Sequence, residues 1–128
     1  MIEIPFVLSI TPVGSRVTCN PAPTDTDRDW LILVDQNEEW RVFEFLSTDG
    51  WELGGSLPDD ENSTPPSDRF MSFTKGVDNI ILTNASVFHR RFLAATSIAK
   101  HLNLLRKDDR IALFQAVLYG NAYEPPIF

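Results

Sequence analysis

Two aspartates at alternate positions, Asp27 and Asp29, lead directly into the apolar run 30–34. Side chains two residues apart in a strand point to the same side, so both carboxylates are expected together at the edge of a sheet. Such a pair of hard oxygen ligands suits Mg²⁺, which proteins bind through one or two carboxylates together with phosphate oxygens. Gly14 and Ser15 lie upstream, where a tight turn offers backbone N–H groups to a phosphate. The pattern predicts a site for magnesium and a phosphorylated ligand.

Strands are predicted on both sides of these residues. Residues 2–10 are rich in β-forming side chains, and a short helix or turn is expected to begin at Ser15. The run 30–34 is apolar throughout, which is typical of a strand buried on both faces. Two further β-rich runs, 69–74 and 77–83, flank Lys75-Gly76 and predict a hairpin.

Three helices are predicted, over residues 37–48, 85–102 and 107–119. Their apolar stripes are Trp40, Phe43 and Leu46 in the first, Phe88, Phe92, Ala95, Ala99 and Leu102 in the second, and Ile111, Phe114 and Leu118 in the third. The polar stretch 54–68 reads as a surface loop, either a lid or an insertion. The order of elements predicts an α+β fold: a mixed β-sheet with helices packed on it, two of them C-terminal.

The composition sets limits on the class of protein. The 128 residues predict a single domain, 1–128, and 43% hydrophobic content suffices for a core. A net charge of −7 gives no bulk attraction for nucleic acid or an anionic membrane surface. Cys19 is the only cysteine, which suits a reducing compartment. Neither a membrane-spanning run nor a signal peptide is evident, so a soluble cytoplasmic protein is expected.

The stretch 13–34 resembles the signature of the polymerase-β-like nucleotidyltransferase superfamily. That signature is a hydrophobic residue, Gly-Ser, about a dozen residues, and Asp-x-Asp in a strand; here it reads Val13-Gly14-Ser15-Arg16 and then Thr26-Asp27-Arg28-Asp29-Trp30-Leu31. The wider chain resembles small nucleotidyltransferase-like proteins predicted in tailed phages, through residues 94–100, 102–105 and 110–115. This second resemblance implies a phage-encoded protein in the host cytoplasm.

The resemblance implies a nucleotidyltransferase-like fold and an enzyme that moves a nucleoside monophosphate from an NTP to a hydroxyl. The acceptor would be an RNA end, a protein or a small molecule. Gly14 and Ser15 would hold the triphosphate, and Arg16 could contact a phosphate. Asp27 and Asp29 would bind Mg²⁺, with two ions possible if a third carboxylate completes the site. Asp78, at the start of the run 79–83, is the candidate for that third, catalytic carboxylate, which would bind metal and help to activate the acceptor hydroxyl.

Other interpretations of the same residues stay open. Aspartates before a strand are common in turns because they hydrogen-bond the backbone, and Asp78 could belong to the hairpin turn. His89 and its arginine neighbours form either a solvated helix face or a basic patch for a phosphate-bearing acceptor. The alternative function is a non-catalytic module of the same fold, an acidic inhibitor or antitoxin-like protein with a protein partner.

Overall fold

A computed structural model describes residues 2–24, 26–54 and 70–119. Its strands are β1 (Ser9–Val13), β2 (Arg28–Leu33), β3 (Glu52–Leu53), β4 (Met71–Lys75) and β5 (Asp78–Thr83). Its helices are α1 (Ser15–Thr18), α2 (Glu39–Thr48, preceded by a 3-10 turn at Gln36–Glu38), α3 (Ser86–Leu102) and α4 (Lys107–Leu118). The predicted loop 54–68, apart from Gly54, and the last residues, 120–128, lie outside the described residues.

The five described strands form one mixed sheet in the order β1-β2-β5-β4-β3. The central pair β2 and β5 is parallel, and the other neighbours are antiparallel. With four described helices, two of them last in the chain, this confirms the predicted α+β class and mixed sheet. None of the described helices is long and apolar enough to cross a membrane.

The first strand is shorter than predicted. Residues 2–8 lie outside the strand, which begins at Ser9. A turn at Pro5 and Phe6 interrupts the extended chain, and Phe6 has a φ of 67°, a conformation that bulky side chains rarely adopt. Of this segment, Leu8 alone is joined to β2 by a backbone hydrogen bond among those outside regular strands, from its N–H to the Leu33 carbonyl at 2.8 Å.

The sheet carries a hydrophobic cluster on each face. Trp30 and Ile32 of β2 pack in the cluster beneath α2, whereas Leu31 packs in the cluster beneath α3 and α4. Because side chains alternate along a strand, Arg28 shares the α2 face and Asp29 shares the face covered by α3 and α4. This parity decides which residues reach the predicted site.

Each of the three predicted apolar stripes contains a residue that is not buried, and in α3 this residue is Leu102, which is 57% exposed. In α2 the core contacts come from Val42 and Leu46, while Trp40 is 62% exposed. In α4 Leu118 is buried, but Ile111 is 48% exposed. A helix buries only the part of its apolar face that reaches another element, and α4 meets the core at its C-terminal end.

Candidate functional site

The Gly-Ser turn and Asp29 are in direct contact. Gly14 follows β1 with a φ of 82° and a ψ of −172°, a backbone conformation that glycine alone adopts readily. A Cβ built on Gly14 would overlap Asp29 Oδ2 and would lie 3.0 Å from Asp29 Cγ. Val13 pairs with Asp29 across the antiparallel strands, which brings the turn to this carboxylate. Glycine is therefore required both for the turn and for the close approach.

Asp27 and Asp29 converge on one amide group. Asn79 Nδ2 donates a hydrogen bond to Asp27 Oδ2 at 3.1 Å and another to Asp29 Oδ1 at 3.2 Å. Asn79 is the residue opposite Asp29 in the parallel pairing of β2 and β5. A neutral amide thus lies within hydrogen-bond distance of both carboxylates.

Burial raises the pKa of Asp29 above its ordinary value. The hydrogen bond from Asn79 opposes this shift, the negative charge of Asp27 adds to it, and the positive charge of Arg16 opposes it. The net result is a carboxylate that is costly to keep ionised without a cation nearby. A bound positive charge would therefore interact more favourably with Asp29 than with a fully hydrated carboxylate.

Arg16 fixes the segment that precedes Asp27. Its Nε donates to the Thr26 carbonyl at 2.9 Å, and its Nη2 donates to the carbonyls of Thr26 and, at 3.1 Å, Thr24. These bonds tie α1 to the loop before β2, so that the guanidinium positions Asp27. A phosphate contact by Arg16 stays a prediction.

Asp78 lies on the α2 face of the sheet, opposite to the face that carries Asp29, so it does not join Asp27 and Asp29 as expected. Arg28 Nε and Nη2 donate to its two carboxylate oxygens at 2.9 and 3.0 Å, and Trp30 Nε1 donates at 3.0 Å. Burial acts to raise the pKa of Asp78, but the hydrogen bonds from Trp30 and Arg28 and the charge of Arg28 outweigh it, so the pKa lies below its ordinary value. Within the described part of the chain, no three acidic, histidine or cysteine side chains are grouped to hold a metal.

A cavity of about 480 Å³ opens beside Asp29. Its lining includes Gly14, Ser15 and Asp29, together with Ile81 of β5 and side chains of α3 and α4. Among the latter, Arg110 is held by the fold, because its Nη1 donates to the carbonyls of Leu104 and Leu105 at 2.9 and 2.8 Å and lies 3.3 Å from Cys19 Sγ. Asp29 thus belongs both to the carboxylate pair and to the lining of a pocket that α4 helps to form.

The sequence alone did not identify Asn79 or the pocket residues of α4. Asn79 carries no charge, and the aspartate before it, Asp78, was the more obvious candidate for a ligand. Lys107 lies four residues before Ile111 and seven before Phe114, so helical spacing places all three on one stripe. The positive charge of Lys107 at the end of this apolar stripe was therefore the one feature of the sequence that could have indicated a pocket there.

The fold and site together define a mixed α+β protein with a carboxylate pair held against a glycine turn. No protein-family model matches the sequence, and no curated protein matches it. Among solved structures, the chain is similar to the conserved protein GrpB from Enterococcus faecalis, with 11% identity and a TM-score of 0.47, over 94% of this chain and 85% of that chain. At that distance the similarity transfers no functional residue.

Proposed function

We propose that this protein is a magnesium-dependent nucleotidyltransferase. It would move a nucleoside monophosphate from an NTP to a hydroxyl of an RNA end, a protein or a small molecule. The observation that carries this proposal is the contact of Gly14 with Asp29, which brings the glycine turn against one member of the carboxylate pair. The resemblance of the stretch 13–34 to the superfamily signature supports the same reaction class.

The donor set fits Mg²⁺. Asp27 and Asp29 provide two hard oxygen ligands, and phosphate oxygens and water would complete an octahedral shell. Asn79 already bridges both carboxylates, so its position is within reach of an ion bound between them. When bound, Mg²⁺ supplies charge neutralisation of the phosphates and of the pyrophosphate that leaves.

The residues of the chain itself would orient the triphosphate. Backbone N–H groups at Gly14 and Ser15 would bind phosphate oxygens, the role that the resemblance to the superfamily implies for this turn. Arg16, through its bonds to the loop, would keep Asp27 at the distance from Asp29 that a shared ion needs. Catalysis by such a site is mostly positioning and electrostatic stabilisation.

A second candidate, a non-catalytic binding module, is favoured by Asn79. An amide, rather than a third carboxylate, completes the group around Asp27 and Asp29. An exposed aromatic surface on the far face of the sheet suits a protein partner: the Arg41 guanidinium lies 5.6 Å from the ring centre of Phe6 and 5.9 Å from that of Trp40. The protein would then act as an acidic inhibitor or an antitoxin-like partner.

Labelled NTPs distinguish the two candidates. The protein is incubated with each α-labelled NTP, millimolar Mg²⁺ and a cell extract, and label transfer and pyrophosphate release are measured. The enzyme proposal predicts transfer that the double variant Asp27→Asn, Asp29→Asn abolishes. The control, Glu44→Gln with Glu52→Gln, removes the same charge from exposed positions and should be fully active. Nucleotide binding without transfer would favour the second candidate. The absence of both binding and transfer would contradict the proposed nucleotide site.

A further inference from the structure

The apolar stripe of α4 lines a cavity. Ile111 and Leu118 both belong to its lining, but Ile111 is 48% exposed whereas Leu118 is 3% exposed. Phe114 lines it too and meets Phe92 edge-on, with ring centres 5.0 Å apart. A concave apolar wall of this kind is what a bound small molecule usually requires, and about 300–1,000 Å³ is the usual size of such a pocket.

Polar and charged groups line this cavity beside its apolar wall. They include the Gly14 turn, Asp29 and, from α4, Lys107. The side chain of Lys107 has no hydrogen bond or ion pair with any residue that the structure describes. The other cation of the lining, Arg110, donates hydrogen bonds to backbone carbonyls. Of these two cations, Lys107 is therefore the one whose side chain has no partner among the described residues.

We infer that this cavity binds the nucleoside triphosphate as a whole, with Lys107 on its phosphates and with Ile111 and Phe114 against the nucleoside. The inference rests on the proposed function, because it takes the carboxylate pair and the glycine turn as the phosphate end. A flat, largely apolar base would cover the wall that α4 leaves open, whereas inorganic polyphosphate would leave it in water. Recognition of the nucleoside would thus come from the C-terminal helix.

Calorimetric titrations with five magnesium complexes test this assignment: those of ATP, GTP, CTP and UTP, and that of tripolyphosphate. The NTP that binds tightest should bind more strongly than tripolyphosphate, because only the NTP contacts the apolar wall. Lys107→Ala should weaken both ligands about tenfold, the usual effect of losing one charge-assisted hydrogen bond. Ile111→Ser should weaken the NTP about fivefold and leave tripolyphosphate within twofold.

Matched variants on the same helix separate these effects from a general change. Arg106→Ala removes one positive charge next to Lys107, and Ala112→Ser adds one hydroxyl next to Ile111; neither residue lines the cavity. Both controls should bind as the unchanged protein does. Tight NTP binding that Asp29→Asn abolishes but Lys107→Ala and Ile111→Ser leave unchanged would overturn the inference and leave the proposed function intact. Absence of NTP binding in the unchanged protein would overturn both.

Discussion

Replacing Gly14 by alanine tests the contact on which the site is built. The backbone at Gly14, with φ of 82° and ψ of −172°, lies in a region that costs a side-chain-bearing residue about 1–3 kcal/mol. The new methyl group would also overlap Asp29 Oδ2 and lie 3.0 Å from Asp29 Cβ and Cγ. Overpacking of this kind costs about 1–3 kcal/mol more. Gly14→Ala should therefore lower the free energy of unfolding by about 2–6 kcal/mol.

Gly50→Ala is the matched control for the backbone term. Gly50 also has a positive φ, 89°, but the nearest atom to its built Cβ is Lys75 Cε at 3.8 Å, an ordinary contact. This variant should lose about 1–2 kcal/mol, since only the conformational penalty applies. Both variants are measured by urea unfolding followed by circular dichroism.

A double-mutant cycle with Asp29→Ala isolates the contact itself. Alanine at position 29 removes Oδ2 and Cγ, the atoms that the new methyl group would displace, and keeps the Cβ. Gly14→Ala should then cost at least about 1 kcal/mol less than it does with Asp29 present. If the two losses add to within about 0.5 kcal/mol, Asp29 does not lie against the turn, and the reasoning about the site is refuted.

Two further predictions concern pH. Burial raises the pKa of Asp29 in the folded state above its ordinary value of 3.8. The protonated carboxyl therefore favours the folded state, an effect that is complete below pH 3.8 and is lost as the pH rises through the folded-state pKa. Asp29→Asn should therefore raise the unfolding midpoint at pH 7 and not at pH below 3.8; a lower midpoint at pH 7 would contradict this. The pKa of Asp78 is lowered, so its contribution is present above 3.8 and is lost as the pH falls through the folded-state value. Asp78→Asn should lower the free energy of unfolding by about 1–2 kcal/mol at pH 7 and by less in acid. It should not weaken the binding of magnesium and NTP, and weaker binding would show that Asp78 takes part in the site.

The local part of the site could be predicted from the sequence. Gly14 needs its conformation because of the turn it makes, and Asp27 and Asp29 share a face because of the two-residue period of a strand. The structure brings these three residues together, as the pattern indicated. Their chemical roles stay predictions until nucleotide or metal binding is measured.

The third position depends on strand register, which a single sequence does not determine. Asp78 pairs with Arg28, and Asn79 pairs with Asp29, so a shift of one residue exchanges the face of the sheet that each side chain reaches. The partners lie 50 residues apart in sequence. The charge of Asp78 is visible in the sequence itself, whereas the position of Asn79 depends on its pairing with a strand far away in sequence.

The hydrophobic period of α4 had a similar limit. It correctly predicted a helix, and Ile111, Phe114 and Leu118 line one cavity, but the predicted burial of Ile111 was wrong. Periodicity shows that residues share a face, but it does not show whether that face meets the core or a cavity. The same limit applies to Trp40 in α2, which the spacing placed in a stripe and which lies in solvent.

The central claim is that the Gly14 turn and the carboxylate pair bind magnesium and a nucleoside triphosphate. Amide chemical shifts measured by NMR during titration with Mg²⁺ and NTP test it most directly. The account predicts the largest shifts at Gly14, Ser15, Asp29 and the first turns of α4, and their loss in the double variant Asp27→Asn, Asp29→Asn. Shifts centred on Phe6 and Trp40 instead, or no shifts at millimolar ligand, would contradict it.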